Sequence, residues 1–290
     1  MRIILLLSSL LLSVCCHAQM DCIRTIISEK IQGKHMKPGI AIYDMQTGDS
    51  LMINGWDRFP MQSVYKFPIA LAILHKTDKG EIALNDSLLF TKAMLDNKLW
   101  SPIREKYPEG NIRIPLSEII EYTVALSDNN GSDLLMSLSG GPASVDSFIR
   151  NMGITDIRIK NYEKEMQADW NIQFQNYATP EAMIRLLIRF NQESILKKDT
   201  HNFLWNVMGE TSTGSFLKYL PENIQAIRKT GNSGFNAEGI SAATNDAGIF
   251  ILEDGRRIAY AIFVNNSSED NDTNYNVIAD IAKAIYDCYH

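Results

Sequence analysis

Residues 63–74 read Ser-Val-Tyr-Lys-Phe-Pro-Ile-Ala-Leu-Ala-Ile-Leu: a hydroxyl and an ammonium set just ahead of an unbroken apolar run. Ser63 and Lys66 are three positions apart, so a helix beginning near residue 63 presents both on one face. Phe67–Leu74 is apolar on every side, which marks a buried helix and not a surface one. That environment strips water from Lys66, lowers its pKa and makes it usable as a base. The helix N-terminus favours the negative charge that develops on an oxyanion. Pro68 cannot donate to the carbonyl of Val64, so the first turn is expected to be bent or 3₁₀-like.

S-x-x-K alone also describes an ordinary capped helix start. Ser194-Ile-Leu-Lys197 and Ser215-Phe-Leu-Lys218 repeat the spacing, and chance supplies roughly one such match in a chain this long. Two rarer tripeptides follow in order, Ser127-Asp128-Asn129 and Lys229-Thr230-Gly231, each expected roughly 0.1 times by chance. Ser, Asp and Asn also make plain turns and N-caps, and Lys-Thr-Gly also reads as a strand end entering a loop. Jointly the three supply a nucleophilic hydroxyl, a proton-handling lysine, a second hydroxyl and a cationic strand edge. That set is suited to attack on a carbonyl lying next to a carboxylate.

Outward from these motifs, residues 22–32 read as a helix, with Ile23, Ile26, Ile27 and Ile31 near helical spacing. Gly39–Met45 and Ser50–Asn54 flank Gln46-Thr47-Gly48 as a hairpin. Ala226–Thr230, Ala247–Leu252 and Ile258–Val264 read as three more strands, the last two joined at Asp254-Gly255. A final helix covers roughly Asn274–Tyr286. Between these ends, Leu116–Leu126, Val145–Met152 and Met183–Phe190 read as helices, with Thr179-Pro180 as N-cap and N1 of the last. The order of strands, helices, then strands predicts one sheet built from both chain ends, with a helical domain inserted.

Arg2, the apolar run Ile3–Val14 and Cys16-His17-Ala18 read as a signal peptide, residues 1–18, cleaved after Ala18. The apolar run is too short to span a bilayer comfortably; lipid attachment at Cys15 or Cys16 is the competing reading. Cleavage leaves 272 of 290 residues, with 27 basic against 34 acidic side chains and a net charge near −7. That balance disfavours nucleic acid or an anionic membrane as partner. The expected product is exported, periplasmic or secreted, monomeric and free of the membrane. Cys22 and Cys288 remain, at the start of the first helix and the end of the last. A bridge between them and two unpaired terminal thiols are both open. The five histidines are scattered without metal-ligand spacing, so no metal or cofactor is expected. No G-x-S-x-G elbow surrounds any serine, which leaves a lysine or carboxylate as the base of any serine hydrolase.

The three motifs together resemble those of class A serine β-lactamases, whose acylation machinery is shared with penicillin-binding proteins. Gly140-Gly141-Pro142, Thr213-Gly214, Leu220-Pro221 and Thr244-Asn245-Asp246 extend the resemblance over essentially the whole mature chain. Glu163–Asp169, Gln173-Phe174-Gln175-Asn176 and the long connection Asn232–Ala243 resemble the PER- and CfxA-type branch. The implied fold is the two-part α/β (α+β) fold of serine β-lactamases and penicillin-binding transpeptidases. Its α/β domain would comprise 19–60 and 215–290. The helical domain would be 61–214, with an omega-type loop at about 158–178.

The implied activity is hydrolysis of penicillins and cephalosporins through a Ser63 acyl-enzyme, with a β-lactam and a catalytic water as the partners. Lys66 and Ser127 would relay the proton to the lactam nitrogen. Asn129 would hold the substrate's side-chain amide, and Lys229, Thr230 and Gly231 the carboxylate strand. The backbone N–H groups of Ser63 and Asn232 would form an oxyanion hole, where one donor is worth about 3 kcal/mol. Glu163 would activate the deacylating water; Glu165, two residues on, is its rival. The resemblance leaves the acylation base open between Lys66 and Glu163. Gln167 stands where most members have asparagine, and Asn161 where they have arginine, so the usual arginine–aspartate clasp of the loop is absent. No arginine can be assigned to the substrate carboxylate. Trp100 falls at the aromatic gate beside the nucleophile, or else in the core. A D-Ala-D-Ala peptidase and a non-catalytic β-lactam sensor are the alternatives.

Overall fold

The computed structural model describes residues 19–192 and 195–290. The predicted signal peptide lies outside the described residues. In chain order the strands are β1 (Lys37–Asp44), β2 (Ser50–Ile53), β3 (Phe59–Pro60), β4 (Ser87–Phe90), β5 (Ile112–Pro115), β6 (Ile157–Arg158), β7 (Tyr177–Ala178), β8 (Gln225–Asn232), β9 (Thr244–Ile251) and β10 (Arg257–Asn265). The helices are α1 (19–31), α2 (Lys66–Asp78), α3 (Pro102–Lys106), α4 (Leu116–Val124), α5 (Asn129–Leu138), α6 (Pro142–Asn151), α7 (Glu163–Ala168), α8 (Pro180–Asn191), α9 (Lys198–Gly209) and α10 (Asn271–Cys288).

Both chain ends build one antiparallel sheet, in the order β2-β1-β10-β9-β8. Side chains alternate across it with period two. On β10, Ile258, Tyr260, Ile262 and Val264 pack with the α1 and α10 side, while Ala259, Ala261 and Phe263 join the core under the helical block. A strand buried on both faces reads as a continuous apolar run, which is why Ile258–Val264 was legible. Ile23 and Ile27 of α1 and Ile281 and Ile285 of α10 are fully buried on the outer face, each worth about 1.5–3 kcal/mol. α1 and α10 run antiparallel. Cys22 and Cys288 are disulfide-bonded with Cα atoms 6.1 Å apart, and Lys30 pairs with Asp280 at 3.3 Å.

The buried helix is α2. Every residue from Lys66 to Leu74 is buried, and the polar tail His75–Asp78 carries the helix out to solvent. The expected 3₁₀ turn spans Gln62–Tyr65 immediately before it. Thr179 caps α8 by accepting from Ala182 N at 3.1 Å, with Pro180 at N1. α4 stops at Val124, two residues short of its predicted end, and the chain then turns through Ser127 at φ 60°.

Two small sheets stand apart from the main one. β3-β7-β6 ties the segment before Ser63 to the loop between β6 and β7, and β4 pairs with β5. These two-residue and four-residue strands, α3, and α9 are additions to the predicted elements. Pairs this short carry no periodicity to read. Among the described residues no helix is long and apolar enough to cross a membrane.

Candidate active site

The motifs converge because three elements meet at the start of α2. β8 runs through Lys229-Thr230-Gly231 to Asn232, two residues beyond the predicted strand, because Asn232 pairs with Thr244 of β9. Gly231 lies against the turn that carries Ser63: a Cβ there would stand 2.5 Å from Met61 O and 3.0 Å from Ser63 N. From β9, Asn245 Nδ2 donates to Pro60 O at 2.8 Å and Met61 O at 3.1 Å. From the β6–β7 loop, Asn176 O accepts from Met61 N at 2.9 Å. The turn bearing Ser63 is thus held from both sides.

Lys66 Nζ donates to Ser63 Oγ at 2.9 Å, Ser127 O at 2.8 Å, Ser127 Oγ at 3.3 Å and Asn129 Oδ1 at 2.5 Å. Burial lowers the Lys66 pKa, as the apolar run predicts, against the opposing pull of the Glu163, Asp128 and Asp133 charges. Lys229 Nζ donates to Ser127 Oγ at 3.1 Å. Its pKa falls well below the ordinary value through burial, with the Lys66 charge adding to the effect. The Ser127 hydroxyl therefore sits between two ammonium groups, on a residue in the left-handed region that non-glycine residues rarely adopt.

Asp128 holds that conformation. Its fully buried carboxylate accepts from Gly131 N at 2.7 Å, Ile103 N at 2.7 Å and Ser101 Oγ at 2.8 Å. It thereby caps α5 and ties it to α3. Asn129 N donates to Trp100 O at 3.0 Å. Trp100 is 58% exposed and lines the cleft, so the core alternative is excluded.

The two candidate glutamates separate cleanly. Glu163 is buried and lines the cleft with Ser63. Its Oε1 accepts from Gln167 Nε2 at 3.1 Å and its Oε2 from Tyr65 Oη at 2.9 Å. Glu165 points away and caps α7, its Oε2 accepting from Tyr162 N at 2.8 Å. Asp133 of α5 receives Glu163 N at 2.7 Å and Lys164 N at 3.2 Å, and burial pushes its carboxyl up to about 6. The missing arginine–aspartate clasp is replaced by a neutral one. Buried Asn176 accepts from Lys160 N at 2.8 Å and Asn161 N at 2.9 Å and donates to Asn161 O at 2.9 Å.

The cleft encloses about 540 Å³, within the usual size for a small-molecule site. No arginine lines it among the described residues. Arg228, next to the Lys-Thr-Gly strand, is buried and paired with Asp246 at 2.9 Å. Thr213 Oγ1 instead meets Thr230 Oγ1 at 2.6 Å, and Asn232 Nδ2 donates to Tyr275 Oη at 3.2 Å. Tyr65, Asp133 and Tyr275 carried no sequence signal of their own, and the segments holding Thr213 and Asn176 entered only as part of the resemblance, without a role. Their roles depend on partners 15 to 98 positions away.

Comparison with known proteins agrees with this geometry. A model of the Beta-lactamase enzyme family matches residues 21–289. β-Lactamase VEB-1 of Pseudomonas aeruginosa is 42% identical over 99% of this chain and 97% of its own length. Extended-spectrum β-lactamase PER-1 of the same organism is 36% identical over 93% and 88%. The crystal structure of the TLA-1 extended-spectrum β-lactamase superposes with a TM-score of 0.90 at 41% identity, covering 93% of this chain and 99% of that one. The chain belongs to the β-lactamase family and is a class A enzyme, a hydrolase of the β-lactam amide.

Proposed function

We propose that this class A enzyme opens the lactam through an acyl-enzyme on Ser63, and that a water activated by Glu163 then hydrolyses the ester. The contact from Lys66 Nζ to Ser63 Oγ, with Ser127 Oγ shared between Lys66 and Lys229, carries the reading. A bond forms between Ser63 Oγ and the lactam carbonyl carbon, and the carbon–nitrogen bond breaks. The Ser63 proton leaves through Lys66, and Ser127 delivers a proton to the departing nitrogen. The N–H groups of Ser63 and Asn232 receive the oxyanion, supported by the close approach of Gly231 to Ser63 N. Lys229, Thr230 and Thr213 take the substrate carboxylate, and Asn129 its side-chain amide. Trp100 and Gln167 form the rim of the cleft.

Likeness to relatives titled extended-spectrum supports cephalosporins, oxyimino ones included, as good substrates. The leader supports export to the periplasm after cleavage at Ala18.

Intact-protein mass spectrometry during exposure to a penicillin and an oxyimino cephalosporin tests the scheme. Turnover without lasting adduct is expected, whereas a persistent adduct on the wild type would identify a peptidase or a sensor. Glu163→Gln is expected to trap a long-lived Ser63 adduct. Glu165→Gln should turn over normally and keep its stability, because a glutamine carbonyl can still accept from Tyr162 N. The reverse pattern would overturn the assignment of Glu163. A kcat/KM a hundredfold or more in favour of penicillins would overturn the cephalosporin preference.

A further inference from the structure

Tyr65 occupies one of the two positions that the S-x-x-K motif leaves unspecified, yet it is fully buried and its hydroxyl reaches the cleft carboxylate. The hydroxyl donates to Glu163 Oε2 at 2.9 Å and lies 3.0 Å from Ser132 Oγ of α5. Burial, then the Glu163 charge, raise the phenol pKa well above its usual range, so the group remains a donor wherever the enzyme works. Glu163 Oε1 is held by Gln167 Nε2 and its main-chain N–H by Asp133. Without Tyr65, Oε2 would have no donor among the described residues, and the carboxylate could turn about its last torsion, which is broad for glutamate.

We propose that Tyr65 is a positioning residue for deacylation: its hydroxyl, braced by Ser132, fixes the Glu163 carboxylate in the orientation that serves the hydrolytic water. The proposal rests on the reading of Glu163 as the deacylation base. The charged groups acting in this region besides Glu163 include Lys66 from α2, Asp133 from α5, Lys229 from β8 and Lys164 from α7 itself. Tyr65→Phe removes only the donor and leaves these charges in place.

Single-turnover and steady-state kinetics of Tyr65→Phe, read beside Glu163→Gln, test it. The expected result is acylation within about twofold of wild type and deacylation slowed about tenfold. Ser132→Ala, which removes the brace but keeps the donor, should give a smaller effect in the same direction. Wild-type deacylation in Tyr65→Phe, with Glu163→Gln stalled, would overturn the role of Tyr65 alone. Equal slowing of acylation and deacylation would show a packing role and overturn it as well. If Glu163→Gln turns over freely, the underlying reading fails first.

Discussion

Gly231 shows how far a single atom can matter at this site. Its missing Cβ lets β8 approach the turn that carries Ser63, and the atoms it would meet, Met61 O and Ser63 N, are backbone. Neither can swing aside as a side chain would. Gly231→Ala is expected to push the strand edge away from the nucleophile by several tenths of an ångström or more. Displacements approaching 1 Å at a reacting centre can cost about 100-fold, so kcat/KM should fall by about 10- to 100-fold. Circular dichroism should stay native, since β8 keeps its pairing with β9 over eight residues. Wild-type kcat/KM in the alanine variant would show that the contact relaxes without consequence.

At the scale of elements, α7 depends on α5. Its first turn is short of acceptors, as every helix start is, and Asp133 supplies two of them from across the gap. Burial raises the Asp133 pKa from 3.8 to about 6. The folded protein therefore binds more protons than the unfolded chain between about pH 4 and 6. The contribution of this group to stability is fully present below about pH 4 and is lost as pH rises through about 6. At about 1.36 kcal/mol per pK unit the contribution is at most about 3 kcal/mol. In urea unfolding across pH 4–7, Asp133→Asn should remove that slope, so the difference between variant and wild type changes steadily through the window. A constant difference would show that Asp133 titrates normally. Protonation also removes acceptor capacity from the Glu163 and Lys164 N–H groups, so wild-type deacylation should weaken below about pH 6.

For the whole molecule, the ends of the chain are stapled to each other. The Cys22–Cys288 bridge closes nearly the entire described fold, with a sequence separation of 266. In the chain-entropy account a loop this long stabilises by up to about 5 kcal/mol, with measured gains often smaller. The bridge lies where α1 and α10 meet on the outer face of the sheet, away from the cleft-lining residues. A Cys22→Ser/Cys288→Ser variant should therefore lose several kcal/mol in urea unfolding and keep its kcat/KM at 25 °C. The mature wild type should show no titratable thiol under denaturing, non-reducing conditions, and two would refute the bridge.

What the sequence by itself determined was whatever repeats or recurs locally. Ser63, Lys66, Ser127 and Lys229 were legible because their motifs are short and rare in combination. The sheet strands and α2 were legible because burial on both faces leaves long apolar runs, and the 3₁₀ turn because Pro68 removes a donor. Only the tertiary structure decided the questions that hang on partners distant in sequence. Glu163 and Glu165 are two residues apart in one polar segment. They part company because one faces Tyr65 and the cleft while the other folds back on Tyr162 N. The loop lacks the family's usual ionic clasp yet is held, because Asn176 returns beside Asn161 through the β6–β7 pairing. Trp100 reads equally as core or rim until Asn129 N fixes its backbone at the mouth of the site. A hydrogen bond between residues far apart in the chain leaves no periodicity in either segment. Its existence is settled only when packing of the apolar faces brings the two ends within 3 Å.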